Sequence, residues 1–274
     1  MEILSENRAF GGVQGVYTHA AAATNCDMTF AVYMPPRAES EKVPCLWYLS
    51  GLTCTHENAM TKAGAQAFAA EHGLALIFPD TSPRGDMVAD DDGYDLGKGA
   101  GFYVDATEQP WAPHFQMYSY IVQELRAVVC EAFAIDPERH GITGHSMGGH
   151  GALTIAMRNP DLFKSVSAFA PISHPATTEW GSKQLGAYLG DDEDTWAEHD
   201  ATMLLHSRGW ASDILVDQGA SDQFLDLLRP EALSAAMAET RTPGEFRMQA
   251  GYDHSYYFVS TFIADHLSWH AERL

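Results

Sequence analysis

The segment Gly144-His145-Ser146-Met147-Gly148-Gly149 constrains this chain more than any other. His140 to Thr143 before it reads as a short strand, and Met147 to Arg158 after it as a helix that starts with small residues. A strand and a helix joined by so tight a turn leave no room for larger side chains at the flanking glycines. The serine is then expected in a strained conformation that lifts its hydroxyl above the sheet. Free N–H groups and the dipole at the helix start favour negative charge there. The competing reading is a plain strand-to-helix turn in which Ser146 caps the helix.

The rest of the chain supplies a sheet for such a turn. The first 35 residues read as short strands, and Met28 to Met34 stops at Pro35-Pro36. Pro44 to Leu49 and Leu74 to Phe78 are nearly continuous apolar runs, as expected of strands covered on both faces. Lys62 to His72 reads as an Ala-rich helix, and Gln116 to Phe133 as a helix with apolar residues at helical spacing. Further strands are expected at Ser165–Phe169, Ile214–Asp217 and Phe246–Gln249, and helices at Pro230–Glu239 and Ser255–Trp269. Alternating strands and helices call for an α/β architecture, a mostly parallel sheet flanked by helices on both faces. No repeat or long linker divides the chain, so 1–274 is expected to form one domain. The stretch from Asp80 to about Pro113 is a long glycine-rich loop, and loops of that length tend to be functional. Its run Gly97-Lys98-Gly99-Ala100-Gly101 fits neither nucleotide-binding glycine pattern.

Charge narrows the partners. Asp and Glu total 37 against 16 Lys and Arg, a formal net charge of −21. Such a field repels phosphate, so neither nucleic acid nor an anionic membrane is an expected partner. The acidic runs at Asp90–Asp92 and Asp191–Asp194 lack calcium-loop spacing and read as solvated loops. Four cysteines form no CxxC pair, which argues against a metal site. The acidic N-terminus does not resemble a signal peptide, and no run of apolar residues is long enough to span a membrane. The expected setting is cytoplasmic, with free thiols.

A serine hydroxyl needs a base, and the base needs an orienting acid. With a strand–serine–helix turn the chain order is serine, acid, histidine. Among 13 histidines, His254 lies just past the last strand and just before the last helix, at the carboxyl edge of the sheet. His145 and His150 sit too close to the serine in sequence, and His266 and His270 belong to the final helix. Asp222 follows the strand Ile214–Asp217 and is favoured over Asp217, which belongs to the strand itself. Asp253 is expected to hold its loop by hydrogen bonds. An oxyanion needs N–H donors. Met147 follows the serine, and Leu52 lies in the loop Ser50–Cys54 after an early strand.

With these pieces in place the chain resembles the S-formylglutathione hydrolase (esterase D) family nearly end to end. The resemblance runs through Phe10-Gly11-Gly12, Leu49–Cys54, Pro79–Gly85, Tyr94–Gly97, Gly101-Phe102-Tyr103, Gly144–Gly149, Val216–Gly219 and Gly251–Phe258. It implies an α/β-hydrolase fold and hydrolysis of S-formylglutathione to formate and glutathione in formaldehyde detoxification. It also implies activity on short-chain esters, no cofactor and a homodimer. By position it implies Ser146, Asp222 and His254 as the triad, Leu52 and Met147 as oxyanion donors, and Cys54 and Trp180 near the substrate. The alternative on the same scaffold is a broad short-chain carboxylesterase or acyltransferase. Thr55-His56-Glu57-Asn58 and Pro175–Glu179 depart from the family pattern. Because glutathione is anionic, a local cation such as Lys62, Arg84, Lys98 or Lys183 has to offset the acidic surface.

Overall fold

Nine strands form one sheet in the order β1-β2-β3-β5-β4-β6-β7-β8-β9 in a computed structural model that describes residues 1–274. The first three are β1 (Glu2–Ala9), β2 (Gly12–Ala21) and β3 (Cys26–Met34). They run antiparallel, and β3 pairs antiparallel with β5 (Ala75–Pro79). From β5 onward every pairing is parallel, through β4 (Val43–Leu49), β6 (Ile135–Gly144), β7 (Phe163–Phe169), β8 (Ile214–Gly219) and β9 (Gly244–Gln249). The apolar runs of β4, β5 and β8 are buried almost throughout, as two-sided helix cover requires. A single apolar cluster of 70 buried residues fills the space between sheet and helices.

Several elements differ from the sequence reading. The N-terminal strands are not short; they span 8, 10 and 9 residues and build a meander. The expected helix Lys62–His72 is two helices, His56–Lys62 and Gln66–His72. Gly64 sits between them at φ +71°, a backbone that breaks the helical run. The departure at Thr55–Asn58 is a helix start: Thr55 and Asn58 form a reciprocal cap on the first of these helices. The expected helix Gln116–Phe133 carries a wide π-turn segment, Tyr120–Leu125, between α-helical pieces. The strand before the serine begins at Ile135 rather than His140.

The topology sets where a ligand can sit. Strand β4 lies between β5 and β6, so the chain steps from β4 to β5 on one side and then crosses back over β4 to β6 on the other. Such a reversal opens a crevice at the carboxyl ends of the strands. The loop after β4 and the turn after β6 meet there, with Leu49 paired to Gly144. Ser146 has φ +59° and ψ −119°, and its side chain does not cap the helix Met147–Arg158. The capping alternative therefore fails on geometry. Helix and strand press together so closely that a Cβ on Gly148 would stand 1.9 Å from the Leu49 carbonyl oxygen.

A buried polar chain ties the neighbouring strands to the last helix, Tyr256–Ala271. Asp217 on β8 meets His266 Nε2 at 3.0 Å. His266 Nδ1 lies 2.8 Å from Ser167 Oγ, which donates to Thr143 on β6 and meets His270 Nε2 at 2.9 Å. Arg247 and Gln249 on β9 donate to the same Asp217 carboxylate. His266 and His270 are thus fully buried structural residues. Burial acts to raise the Asp217 pKa, but hydrogen bonds from His266 and Arg247 outweigh it and hold the carboxyl at about 2. A carboxyl held below its usual 3.8 contributes stability above that pH and loses it as pH falls toward 2.

Two outcomes follow. Gly148→Ala is expected to cost roughly 3 kcal/mol of stability by forced overlap, read as a lower urea midpoint. A wild-type midpoint would show that the turn relaxes freely. Asp217→Asn is expected to cost about 2 kcal/mol at pH 7 and to flatten the fall of stability with acid between about pH 4 and 2. An unchanged acid transition would remove Asp217 from that role.

Candidate active site

A cavity of about 250 Å³ opens at the crevice, lined among others by Leu52, Cys54, Ser146, Trp180, Phe224 and His254. The serine reaches it because the left-handed turn lifts residue 146 out of the line of β6. The Ser146 carbonyl accepts from His150 N–H, so the strained residue is still locked to the helix behind it.

Asp222 stands in the loop after β8 and His254 in the loop after β9. His254 Nδ1 lies 2.6 Å from Asp222 Oδ2. The carboxylate also accepts from Gln218 Nε2 at 3.0 Å and from the Phe224 N–H at 2.8 Å. These contacts fix the carboxylate, and the carboxylate fixes the ring with a proton on Nδ1, which leaves Nε2 as the acceptor. Aromatic rings hold the imidazole sideways: Phe224 meets it edge-on at 5.1 Å and His145 lies 4.5 Å away, centroid to centroid. The Ser146 hydroxyl is not hydrogen-bonded to the imidazole in this geometry, a looseness common before substrate tightens a site.

Leu52 lies in the loop after β4, and its N–H makes no backbone hydrogen bond. Met147 is the first residue of its helix, so its N–H has no intrahelical partner. The loop is braced from behind. Tyr103 donates to the Ser50 carbonyl at 2.7 Å, Thr53 N–H to the Gly99 carbonyl at 2.9 Å, and Arg84 to the Cys54 carbonyl at 3.0 Å. The glycine-rich stretch after Asp80 therefore works as a scaffold for residues 50–54. Its close approach to Thr53 needs the bare Gly99, at φ +86°, where a Cβ would lie 3.1 Å from the Thr53 Cα.

Cys54 lines the cavity, but burial pushes its thiol above the usual range, which suppresses the reactive thiolate. Trp180 forms part of the wall with its ring 5.7 Å from that of Phe224. Burial, followed by the neighbouring His254, pushes His145 well below the usual histidine range and keeps its ring uncharged. Asp217 is turned into the buried network away from the cavity, and Asp253 accepts the Ser255 N–H and hydroxyl, bracing the loop of His254. His145, Tyr94, Phe224 and Tyr256 also line the cavity, although the sequence reading sets His145 aside as the base and gives the other three no place in the site. Phe224 and Tyr256 lie two residues past Asp222 and His254, and Tyr94 lies in the long glycine-rich loop. Those positions were the available signal. No group of three His, Cys, Asp or Glu side chains is arranged to hold a metal ion. No helix is long and apolar enough to cross a membrane.

The Esterase family matches residues 21–269. The chain is 67% identical over 273 residues to an S-formylglutathione hydrolase of Paracoccus denitrificans (strain Pd 1222), covering 100% of this chain and 98% of that one. It is 52% identical over 275 residues to the S-formylglutathione hydrolase of Mus musculus, covering 99% and 98%. A solved structure of an S-formylglutathione hydrolase from Agrobacterium tumefaciens superposes with a TM-score of 0.98 at 51% identity, covering 100% of both chains. The chain has the α/β-hydrolase fold and belongs to the S-formylglutathione hydrolase family of esterases.

Proposed function

We propose that this enzyme hydrolyses S-formylglutathione to formate and glutathione in formaldehyde detoxification, through an acyl-enzyme on Ser146. The carrying observation is the 2.6 Å His254–Asp222 pair on the rim of the cavity that also receives the strained serine. His254 Nε2 takes the Ser146 proton as Oγ attacks the thioester carbonyl carbon. The oxyanion accepts hydrogen bonds from the N–H groups of Leu52 and Met147. As the carbon–sulfur bond breaks, the imidazolium returns its proton to the leaving thiolate. A water then takes the place of the thiol: His254 removes its proton, its oxygen attacks the acyl carbon, and the proton passes to Ser146 Oγ as formate leaves. Asp222 stabilises the imidazolium without accepting its proton.

The small cavity beside Ser146 supports a short acyl group, and Cys54 and Trp180 supply its apolar wall. The four cysteines are all free, in keeping with a reducing cytoplasm. We also assign the chain to one domain working as a homodimer, with no cofactor. The exposed N-terminal edge, with Ile3, Leu4 and Phe10 uncovered, favours self-association.

Ser146→Ala is expected to lower kcat on S-formylglutathione by roughly 10⁴-fold or more, and Asp222→Asn by about 10⁴-fold, in steady-state assays of thioester loss. Near-normal turnover by either variant would contradict the assignment. The wild type is expected to turn over S-formylglutathione with a higher kcat/KM than p-nitrophenyl acetate, and the acetate faster than the octanoate. The reverse order would favour a broad carboxylesterase.

A further inference from the structure

The four cations that border the site in sequence are not equivalent in space. Arg84 is clamped on the Asp80 carboxylate at 2.9 Å. Lys98 lies 3.7 Å from Asp90, and Lys183 lies 2.5 Å from Asp95. Each of these charges already has an opposite one against it. Lys62 alone of the four has no carboxylate partner. It is the last residue of the helix His56–Lys62, and its ammonium stands 5.8 Å from the centroid of the Tyr256 ring.

That ring is a shared wall. Tyr256 and Ser255 line the cavity of Ser146, and both also line a second cavity of about 470 Å³. Lys62, Tyr257 and Ser260 complete the second cavity. The first cavity, about 250 Å³, lies below the range that encloses a drug-sized ligand, so a tripeptide thiol attached to the reacting carbonyl has to extend beyond it. The adjoining cavity is where the excess can go.

Its polar groups are unequal as recognition elements. Ser255 Oγ donates to Asp253, and Ser260 Oγ donates to the Tyr257 carbonyl. The neighbouring carboxylates are also engaged, Asp80 by Arg84 and Asp253 by Ser255. The buried Tyr256 hydroxyl has no hydrogen-bond partner but carries no charge, so Lys62 is the cavity's one charged group and has no carboxylate against it. Its field reaches the first cavity, where it opposes the burial that raises the Cys54 thiol. On a chain of net charge −21, an uncompensated cation beside the site gives an anion a local attraction the rest of the surface denies it.

We propose that Lys62 is a specificity-determining residue that binds a carboxylate of the leaving thiol in the second cavity, while the first cavity takes the acyl group. This rests on the reading that glutathione is the leaving group. It makes anionic peptide thiols the preferred class over neutral thiols bearing the same acyl group.

The test compares S-formylglutathione with S-formyl-N-acetylcysteamine, a neutral thioester of the same acyl group. Steady-state kinetics are run on the wild type and on Lys62→Gln, Lys62→Glu and Lys62→Arg. In Lys62→Gln the ratio of kcat/KM for the anionic over the neutral thioester is expected to fall about tenfold, mainly through KM. Lys62→Glu lowers the ratio further, and Lys62→Arg restores most of it. Added salt compresses the wild-type ratio and leaves that of Lys62→Gln nearly flat. A ratio that survives Lys62→Glu overturns the inference alone. A wild type that does not cleave S-formylglutathione overturns the underlying reading and this inference with it.

Discussion

The contact between Gly148 and the carbonyl of Leu49 is the constraint on which the site depends. It brings the first turn of the helix Met147–Arg158 against the end of β4, with no room for even a methyl group. Bringing them that close leaves one route for the intervening chain, a turn that places Ser146 at φ +59°. The strain is held by ordinary bonds on either side: Ser146 N–H donates to the Phe169 carbonyl at 2.9 Å, and Gly148 N–H to the His145 carbonyl at 2.8 Å. A strained conformation persists only when its surroundings over-determine it, and here β4, β6, β7 and the helix do so together.

Two aspartates show how burial and hydrogen bonding divide the work. Asp217 and Asp222 lie five residues apart, both with side chains shut off from solvent, and each touches a histidine. Asp217 belongs to β8, and its partners come from β9 and the last helix, which makes it a structural tie. Asp222 belongs to the loop beyond the strand, and its histidine stands at the cavity. The difference lies in whether the imidazole has an open side. His266 is enclosed, with both ring nitrogens taken, whereas the side chain of His254 keeps 10% of its surface exposed.

Much of this was legible in the sequence, for an identifiable reason. Ser146, Asp222 and His254 each follow the carboxyl end of a strand expected from the sequence, so chain order and element position single them out as candidates. The parallel sheet was legible because β4 and β5 are apolar along nearly their whole length and β8 opens on the apolar run Ile214–Val216. What stayed hidden depends on contacts between distant segments. Nothing local shows that Gly99 braces Thr53, that His145 packs on the ring of His254, or that Arg84 is held by Asp80 while Lys62 stays free. The break at Gly64 was obscured by flanking alanines that suit a helix, because helix propensity does not report a left-handed glycine. The π-turn at Tyr120–Leu125 likewise leaves the apolar spacing nearly intact.

The central claim is that the strained serine, rather than the nearby thiol, carries the acyl group. Rapid acid quenching during turnover of p-nitrophenyl acetate, followed by peptide mass spectrometry, tests it directly. The account predicts an acetyl group on Ser146 and none on Cys54. An acetyl group on Cys54, with Ser146 unmodified, would contradict it.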